Sequence, residues 1–446
     1  MPRTFSDLVL HLDYHDLPDP TRHVLRRSLL DTLGVAMVGS TTDMSRRIRE
    51  FAHRFWAAGP DTPSVRMLLD GREASLPGVS MAGAFTIDAV DAHDGHRGAK
   101  GHAGAAVVPA LLATAQYLGA RGRMLDGRAL LTAMAVGYEV SYRVALAQHA
   151  TTADYHTSGA WTAVGVAAMV SRLLGLDAAR LREALGIAEY HGPRSQMMRC
   201  IAFPTNVRDG VGWGTPSGVS AALLAELGFT GAPAVTVEGE DAAPFWADLG
   251  ERWEIQQTYY KPYPVCRWAH PALDGVAALL AGHDVQAREI REIRIRTFYY
   301  ATTLSRRPPA TLDEFCYGIA FPVAALAVRG HLGVEELNPA LLADPEIQRL
   351  GRAVVLEEHV PYTELSPAER WADVTLYLHD GRVLVDEPRT ARGDPDDTLT
   401  DGELVAKYHQ FADPVVGLDR AAEIRELSIG IDEQRDPRRW LELLHQ

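Results

Sequence analysis

The part of the sequence with the most groups able to move protons or bind a metal runs from residue 88 to residue 102. It reads DAVDAHDGHRGAKGH and holds three acids and three histidines: Asp88, Asp91, His93, Asp94, His96 and His102. An imidazole, whose ordinary pKa of about 6.5 suits proton transfer at neutral pH, can be positioned by a carboxylate. Imidazole and carboxylate groups at this spacing also suit zinc or iron. The segment therefore predicts acid–base catalysis or a metal site, unless it is only a solvated loop between two apolar helices.

Two further segments place histidine where a helix is expected to begin. His156 belongs to YHTSG, directly before an apolar stretch, so its imidazole can point into a cleft at the helix N-terminus. The segment KPYPVCRWAH is stiffened by two prolines and brings Lys261, Arg267 and His270 to a predicted domain boundary. Clefts at such boundaries commonly bind small molecules. Three histidine-bearing segments with nearby cations or carboxylates favour a catalytic site over isolated structural histidines.

Sequence signatures of several other chemistries are missing. There is no G-x-x-x-x-G-K-[ST] phosphate-binding loop and no H-E-x-x-H zinc helix. The glycine-rich run at 208–218 lacks both the G-x-G-x-x-G spacing and a preceding strand, so it does not indicate a dinucleotide site. Ser217 lies in no G-x-S-x-G elbow, and no cysteine occurs in a nucleophile signature. The sequence therefore does not support hydrolysis through an acyl-enzyme.

Composition narrows the kinds of partner. The chain has 446 residues, 47% hydrophobic and 23% charged, so it can bury a sizeable core and is not wholly disordered. Lys and Arg number 44 against 58 Asp and Glu, which gives a net charge of −14. Nucleic acid is therefore not an expected partner, because binding to it depends on cations that displace counterions from phosphates. A small anionic substrate is compatible with this charge if a few cations line one pocket.

The sequence also predicts where the protein works. The N-terminal residues MPRTFSDLVLHLDYHDLPDP are interrupted by charge and have no apolar core of the kind that a signal peptide needs. One of the longest mainly apolar stretches, Ala103 to Ala115, has 13 residues, well short of the ~20 needed to cross a bilayer. The three cysteines are far apart and odd in number, which fits reduced thiols rather than disulfides. We therefore expect a cytoplasmic protein with no membrane partner.

The elements that must position these groups are mostly helices. From about Thr21 to Leu227, apolar residues recur at spacings of three and four, which predicts packed helices. Residues 289–300 alternate with a period of two, and residues 372–386 read as a hairpin around a turn that contains Gly381. Both patterns predict strands.

These patterns predict a mainly α fold with two domains. A large all-helical domain is expected from both chain ends, residues 1–265 and 396–446. A smaller α+β lid domain with an antiparallel sheet is expected from residues 266–395. The polar, turn-rich residues 392–397 predict a loop, after which the sequence is helical again.

Seven motifs in this order resemble the MmgE/PrpD family, which includes 2-methylcitrate dehydratase, cis-aconitate decarboxylase and iminodisuccinate epimerase. They are DTLGVAMVG, DAHD followed by GHAGAAVVPALLA, AVGYEVSYRVA, YHTSGAWTAVGVAA with RLLGLD, GVSAALLAELGFTG, KPYPVCRWAHPALDG and YGIAFPVAALAVRG. The resemblance extends from about residue 5 to residue 440. It implies a helical domain with an α+β lid, a homodimer, no metal or other cofactor, and an active site in the cleft between the domains.

The resemblance also implies site residues by their motif positions. Asp91 matches the first Asp of the family's D-F-D-D loop, and His102 and His156 match its H-P and H-x-T-G histidines. Lys261 and His270 match its K…C…H segment, and Tyr317 matches its Y-G tyrosine. The chain departs from the family at Gly95, where decarboxylase-like members have Thr or Ser nearby, and at Arg208, where many members have Lys.

The function that these residues predict is a cofactor-independent lyase acting on a small polycarboxylate. His102 or His156 is expected to remove a proton next to a carboxylate, and the other histidine or His270 to return one, with loss of water or carbon dioxide. Asp91 would orient an imidazole, and Tyr317 would donate a hydrogen bond. Fixed positive charge would stabilise the carbanion. The residues expected to bind the substrate are Asp94, Arg208 and Arg267, with Lys261 as a further cation for its carboxylates.

Other functions remain open at this point. Lys261 and an opposed His or Tyr could form a two-base epimerase site. A hydrolase or lyase could instead use a metal held by His93, His96 and His102. A non-catalytic binding protein and a specialised biosynthetic enzyme of the same family are further alternatives.

Overall fold

The computed structural model describes residues 4–445, which are mostly helical. The α-helices are α1 (Phe5–His11), α2 (Asp19–Ser40), α3 (Asp43–Phe55), α4 (Leu76–Asp88), α5 (Gly104–Ala120), α6 (Gly127–Thr151), α7 (Gly159–Leu174), α8 (Ala178–His191), α9 (Met197–Ala202), α10 (Val211–Glu226), α11 (Val235–Glu238), α12 (His270–Gly282), α13 (Tyr299–Thr302), α14 (Leu312–Cys316), α15 (Ala320–Arg329), α16 (Pro339–Leu342), α17 (Pro345–Arg352), α18 (Val360–Leu365), α19 (Asp401–Val416), α20 (Leu418–Ile429) and α21 (Arg438–Leu444). The strands are β1 (Val65–Arg66), β2 (Glu73–Ala74), β3 (Gly95–His96), β4 (Thr258–Tyr259), β5 (Ile290–Thr297), β6 (Val354–Glu358), β7 (Trp371–Leu378), β8 (Val383–Val385) and β9 (Arg389–Thr390). The predicted mainly α class is confirmed.

Helix α7 lies at the centre of the helical part. Its sequence, GAWTAVGVAAMVSRLL, is small or apolar at nearly every position, and almost the whole helix is buried. Helices α5, α6, α8 and α10 pack against it. A helix that is apolar on all sides is typical of a core position. The Ala/Leu-rich segments that read as packed helices in the sequence therefore share one core.

The two ends of the chain meet, because α19 packs against α2. The Lys407 ammonium of α19 donates to Asp31 Oδ1 of α2 over 2.6 Å and to the Ala92 carbonyl over 2.8 Å. Tyr408 lies against Gly34 on the same face of α2. A C-terminal helix thus reaches the loop that follows α4. The predicted domain boundaries at residues 265 and 396 stay a prediction.

The largest sheet has the strand order β6–β5–β7–β8, and β9 also pairs with β7. Its β7–β8 turn contains Gly381 at φ +93°, a conformation that glycine adopts without strain, so the predicted hairpin is confirmed. The prediction of an antiparallel sheet needs one correction, because β5 and β6 run parallel. A parallel pair requires a long crossover, and helices α13 to α17 supply it.

None of the helices described within residues 4–445 is long and apolar enough to cross a membrane.

Candidate active site

A narrow pocket lies where the loop between α4 and α5 meets residues 259–268 and the start of β7. It contains about 370 Å³ of empty space, including its open mouth. The lining residues are Asp91, Lys100, His102, Tyr155, Met197, Asp209, Tyr259, Lys261, Cys266, Arg267, Trp268, Tyr317 and Arg370. The structure thus brings together five of the residues predicted for the site, namely Asp91, His102, Lys261, Arg267 and Tyr317.

Two short strands hold the loop beside the lysine. Strand β3 pairs antiparallel with β4, and Gly95 lies opposite Tyr259. A Cβ atom at residue 95 would lie 2.5 Å from the Tyr259 Oη and 2.7 Å from the His102 Nδ1. Both contacts are too close for a carbon atom, so these two side chains account for glycine at this position. The side chain of Lys261 begins two residues after Tyr259 and therefore faces the same loop.

Asp91 and Lys261 form a buried ion pair in the pocket. The ammonium nitrogen lies 2.5 Å from the Asp91 Oδ1 and 2.9 Å from the Asp91 carbonyl oxygen. Asp91 has a φ of +50°, which is uncommon for a residue with a side chain. A residue keeps this backbone conformation only where its surroundings stabilise it. Here the Lys261 ammonium binds the Asp91 carbonyl oxygen as well as its side-chain Oδ1. The pair supplies a proton donor and a carboxylate at one point of the pocket.

His102 presents one unprotonated nitrogen to the pocket. Its Nδ1 lies 2.6 Å from the Asp94 carbonyl oxygen and must donate to it, and its backbone N–H donates to the Ser158 Oγ over 3.0 Å. The Nε2 of the neutral ring therefore carries the lone pair. Burial, with His93 and Lys261 nearby, holds the pKa of His102 well below its ordinary value. His102 is thus suited to accept a proton at neutral pH.

His93 lies behind His102. The two ring centroids are 4.2 Å apart, and the His93 Nε2 lies 3.1 Å from the Asp88 Oδ1. Nitrogen and oxygen atoms of Asp91, His93 and His102 all lie within 4.8 Å of one another, close enough to hold a metal ion. The Lys261 ammonium already binds Asp91, so a second cation there would meet electrostatic repulsion. The residues at this point therefore favour the lysine as the resident cation.

His96 is not part of this group. Its Nε2 lies 3.1 Å from the Glu254 Oε2, and its Nδ1 accepts from the backbone N–H of Ala99. The hypothesis of a metal held by His93, His96 and His102 together is therefore not supported by the geometry. Both ring nitrogens of His96 have local partners that stabilise the loop.

Asp209 is a second carboxyl group in the pocket lining. It accepts hydrogen bonds from the backbone N–H and the hydroxyl of Ser158. Burial and the neighbouring Asp88 raise the pKa of Asp209 well above its ordinary value. Through Ser158 it also supports the backbone of His102.

Four cations line the pocket, and two of them are already paired. Lys261 binds Asp91. The Arg267 guanidinium donates to the Asp394 Oδ1 over 2.8 Å, and its central carbon lies 4.6 Å from the centroid of the Tyr259 ring. Lys100 and Arg370 have no carboxylate within 4.0 Å among residues 4–445. The pocket therefore holds two cations that the described chain leaves without an anionic partner.

The structure places four predicted site residues outside this pocket lining; they are Asp94, His156, Arg208 and His270. His156 is buried, and its neighbour Tyr155 reaches the pocket instead. The His270 Nε2 donates to the Val265 carbonyl, and its Nδ1 accepts from Arg267 over 3.3 Å. Burial and Arg267 hold the pKa of His270 well below its ordinary value. Both ring nitrogens of His270 therefore have partners within the protein, and its role as a proton donor stays a prediction.

Asp94 and Arg208, which are predicted to bind substrate, each have a partner outside the pocket lining. The Asp94 carboxylate is buried and accepts from the Tyr138 hydroxyl over 2.8 Å, so only its backbone carbonyl acts on His102. The Arg208 Nε lies 2.6 Å from the Asp313 Oδ1, and its guanidinium covers the Tyr317 ring. Arg208 therefore packs against Tyr317, and its role in binding a substrate carboxylate stays a prediction.

Lys100, Arg370, Tyr155 and Tyr259 line the pocket but were not singled out from the sequence. One signal could have identified Lys100. The chain contains three lysines, at positions 100, 261 and 407, against many arginines. Two of them line the pocket, and the third binds the Ala92 carbonyl beside it. When the few residues of a rare type all lie in or beside one pocket, they are candidates for a function in that pocket.

The whole chain matches known proteins of one type. The MmgE/PrpD N-terminal domain matches residues 3–255, and the MmgE/PrpD C-terminal domain matches residues 263–433. Cis-aconitate decarboxylase of Homo sapiens is 25% identical over 459 aligned residues, covering 97% of this chain and 92% of that protein. The Aspergillus terreus enzyme of that name is 20% identical over 467 residues, covering 96% and 93%, and the Mus musculus enzyme is 23% identical over 443 residues, covering 93% and 87%.

These relatives are decarboxylases, which are lyases, so the matches support a lyase at low identity. The matched regions cover nearly all of the chain and contain the loop of Asp91 and His102 as well as the segment of Lys261. The chain belongs to the MmgE/PrpD family.

Proposed function

We propose that this protein is a lyase that removes carbon dioxide or water from a small di- or tricarboxylate through proton transfer at a carbon next to a carboxylate. The observation that carries the proposal is the His102 Nε2, available as a base, beside the buried Asp91–Lys261 pair. A base and an ammonium in one small pocket can transfer protons to and from a single substrate.

The charge of the pocket supports an anionic substrate. Four cationic side chains line it against two carboxyl groups, Asp91 and Asp209, and burial raises the pKa of Asp209 well above its ordinary value, which disfavours its charged form. This excess of positive charge occurs in a chain whose net charge is −14. A cleft of one charge sign attracts substrates of the opposite sign.

Each elimination can be written with these residues. In loss of water, the His102 Nε2 takes the proton from carbon, the released electron pair forms a double bond, and the hydroxyl leaves with a proton from the Lys261 ammonium. In loss of carbon dioxide, the carbon–carbon bond breaks, its electron pair stays on the remaining carbon, and the Lys261 ammonium protonates that carbon. Nearby cations stabilise the anionic intermediate in both cases.

Loss of carbon dioxide is the reaction that we favour of the two. Its support comes from the relatives, whose names state that they decarboxylate cis-aconitate and which align over nearly the full chain. Loss of water is the second candidate, and its support is the base-ready tautomer of His102, because decarboxylation requires a donor more than a base.

Proton NMR of the purified, chelator-treated protein tests the proposal. The protein is incubated in deuterated water with cis-aconitate, 2-methylcitrate and amino-dicarboxylates. We expect loss of a substrate signal with a new vinylic signal, and the carbon count of the product separates loss of carbon dioxide from loss of water. The Lys261→Met variant, which lacks the ammonium that both reactions use, serves as the control for contaminating enzymes. Exchange of a proton at the α carbon without net conversion would replace the lyase with the two-base epimerase, and conversion only after metal is restored would indicate a metal enzyme.

A further inference from the structure

Lys100 and Arg370 are two cations that face one pocket without an anionic partner. No carboxylate of the described residues 4–445 lies within 4.0 Å of either charged group, and the Arg370 residue is 7% exposed. The Arg370 guanidinium donates one long hydrogen bond, of 3.4 Å, to the Arg97 carbonyl oxygen. The Lys100 ammonium lies 5.3 Å from the centroid of the Tyr155 ring, a weak cation–π contact.

Arg370 is buried and Lys100 is partly buried, and two like charges held together with reduced access to water are costly unless an anion joins them. The two charges are close enough to act on each other, since burial and Arg370 both lower the pKa of Lys100. Lys100 also has a φ of +55°, a conformation uncommon for a residue with a side chain. An anion that contacted both side chains would offset this repulsion.

The remaining cations near the pocket are already neutralised. Lys261 is bound to Asp91, Arg267 to Asp394, and Arg208 to Asp313. The positive charge available to a substrate is therefore concentrated on Lys100 and Arg370. The two belong to distant elements, the turn after β3 and the residue before β7.

We propose that Lys100 and Arg370 together bind a second carboxylate of the substrate, separate from the carboxylate at the reacting carbon. The inference rests on the proposed function and names the two residues that would select a di- or tricarboxylate over a monocarboxylate. A planar guanidinium can bind a carboxylate through two hydrogen bonds, and the neighbouring ammonium adds a third. The distance between this pair and the His102 Nε2 then selects acids by the spacing of their carboxylates.

Calorimetric binding of tricarballylate, a saturated tricarboxylate without a hydroxyl group to eliminate, tests the subsite. The protein, its Arg370→Met variant and its Lys100→Met variant are compared, and Arg306→Met, which changes an exposed arginine, is the control. We expect each subsite variant to bind tricarballylate at least tenfold more weakly, while the control and butyrate binding change by less than about twofold. Equal affinity in the parent and both subsite variants, or no binding by the parent, would overturn the proposal.

A second measurement uses the unaltered protein and so does not depend on the folding of variants. Lysines are acetylated with an amine-reactive ester, and mass spectrometry follows each position. Lys261 and Lys407 are buried, so labelling in the pocket reports on Lys100. Tricarballylate should slow the labelling of Lys100 severalfold, whereas butyrate should not. An unchanged rate with tricarballylate contradicts the subsite.

The outcomes for the subsite and for the proposed function can be told apart. Tricarballylate binding with protection of Lys100, but no turnover of any acid in the NMR experiment, would keep the subsite and remove the lyase. Turnover of a tricarboxylate with unaltered binding in both subsite variants would keep the lyase and remove the subsite.

Discussion

His102 acts through a tautomer that its neighbours select. The Asp94 carbonyl accepts the Nδ1 proton, so the Nε2 lone pair is directed toward the substrate pocket. Burial then lowers the pKa of the ring, because burial disfavours the charged form. Two other histidines near the pocket have partners of their own, since the His93 ring nitrogen lies beside Asp88 and His270 donates to the Val265 carbonyl.

At the residue scale, His102→Gln is expected to lower the rate of water loss by about 10²- to 10⁴-fold, the usual contribution of general acid–base catalysis, because that reaction uses the His102 Nε2 as its base. Glutamine keeps a polar side chain but cannot take up a proton. Affinity for tricarballylate, measured by calorimetry, should change little. His283→Gln, an exposed position on the far end of α12, is the matched control. Full turnover by the His102 variant would remove this residue from the mechanism.

Asp94 provides a prediction for stability against pH. Burial and the nearby Asp31 raise the pKa of Asp94 to about 6, whereas the unfolded value is 3.8. The folded protein therefore keeps a proton that the unfolded chain releases between these values, and folding stability falls as pH rises through that window. Two pKa units correspond to roughly 3 kcal/mol as an upper bound.

Asp94→Asn should remove this loss. Between about pH 4.5 and pH 7.5, urea unfolding should show the parent losing ~1–3 kcal/mol more than the variant. Asp61→Asn, at an exposed position, is the control and should follow the parent curve. Parallel curves for Asp94→Asn and the parent would mean that this carboxyl is ionised in the folded protein throughout.

At the element scale, the pocket depends on contacts that no single segment contains. The two-residue strands β3 and β4 are separated by more than 160 positions, yet their pairing sets Lys261 beside Asp91. Helix α19 adds the Lys407 contact to the same loop from the other end of the chain. Short strands provide few hydrogen bonds, so the surrounding helices must hold them in register.

The start of α19 is stabilised by a capping box. The Thr400 hydroxyl oxygen accepts from the Glu403 N–H, and the Glu403 carboxylate accepts from the Thr400 N–H. Thr400→Ala is expected to lower the free energy of unfolding by ~1 kcal/mol, the usual cost of losing an N-cap. Chemical denaturation checks this, with Thr62→Ala at an exposed position as the control. A loss equal to that of the control would show that α19 is held by tertiary packing alone.

At the scale of the whole molecule, one buried ion pair joins both chain ends to the site. Lys407 and Asp31 are both almost fully buried, and the same ammonium also binds the Ala92 carbonyl next to Asp91. Removing one member of a buried pair leaves an uncompensated charge, which costs more than removing both. The pair therefore links the stability of the fold to the position of the Asp91 loop.

Lys407→Met is expected to destabilise the protein by roughly 3–5 kcal/mol. The double variant Lys407→Met with Asp31→Leu should recover a large part of that loss, because no isolated charge remains. Both are measured by urea unfolding against the parent. A double variant that is destabilised by the sum of the two single effects would mean that the two residues act independently.

The sequence by itself determined the mainly α class, the β7–β8 hairpin, the family and the segments that carry Asp91, His102, Lys261, Arg267 and Tyr317. These features depend on local periodicity, turn chemistry and the order of motifs, all of which can be read from neighbouring residues. The parallel β5–β6 pair could not be read in this way, because its partners lie far apart in the chain.

Only the tertiary structure decided which charges are available to a substrate. Arg208, His156 and His270 have side chains typical of an active site, but none of them lines the pocket. Arg208 forms an ion pair with Asp313, and the two histidines are buried elsewhere. Lys100 and Arg370 carry no motif, yet packing brings them to one pocket without an anionic partner. The physical reason is that a charged group is neutralised by whatever folding places within a few ångströms of it, and that neighbour is set by long-range packing.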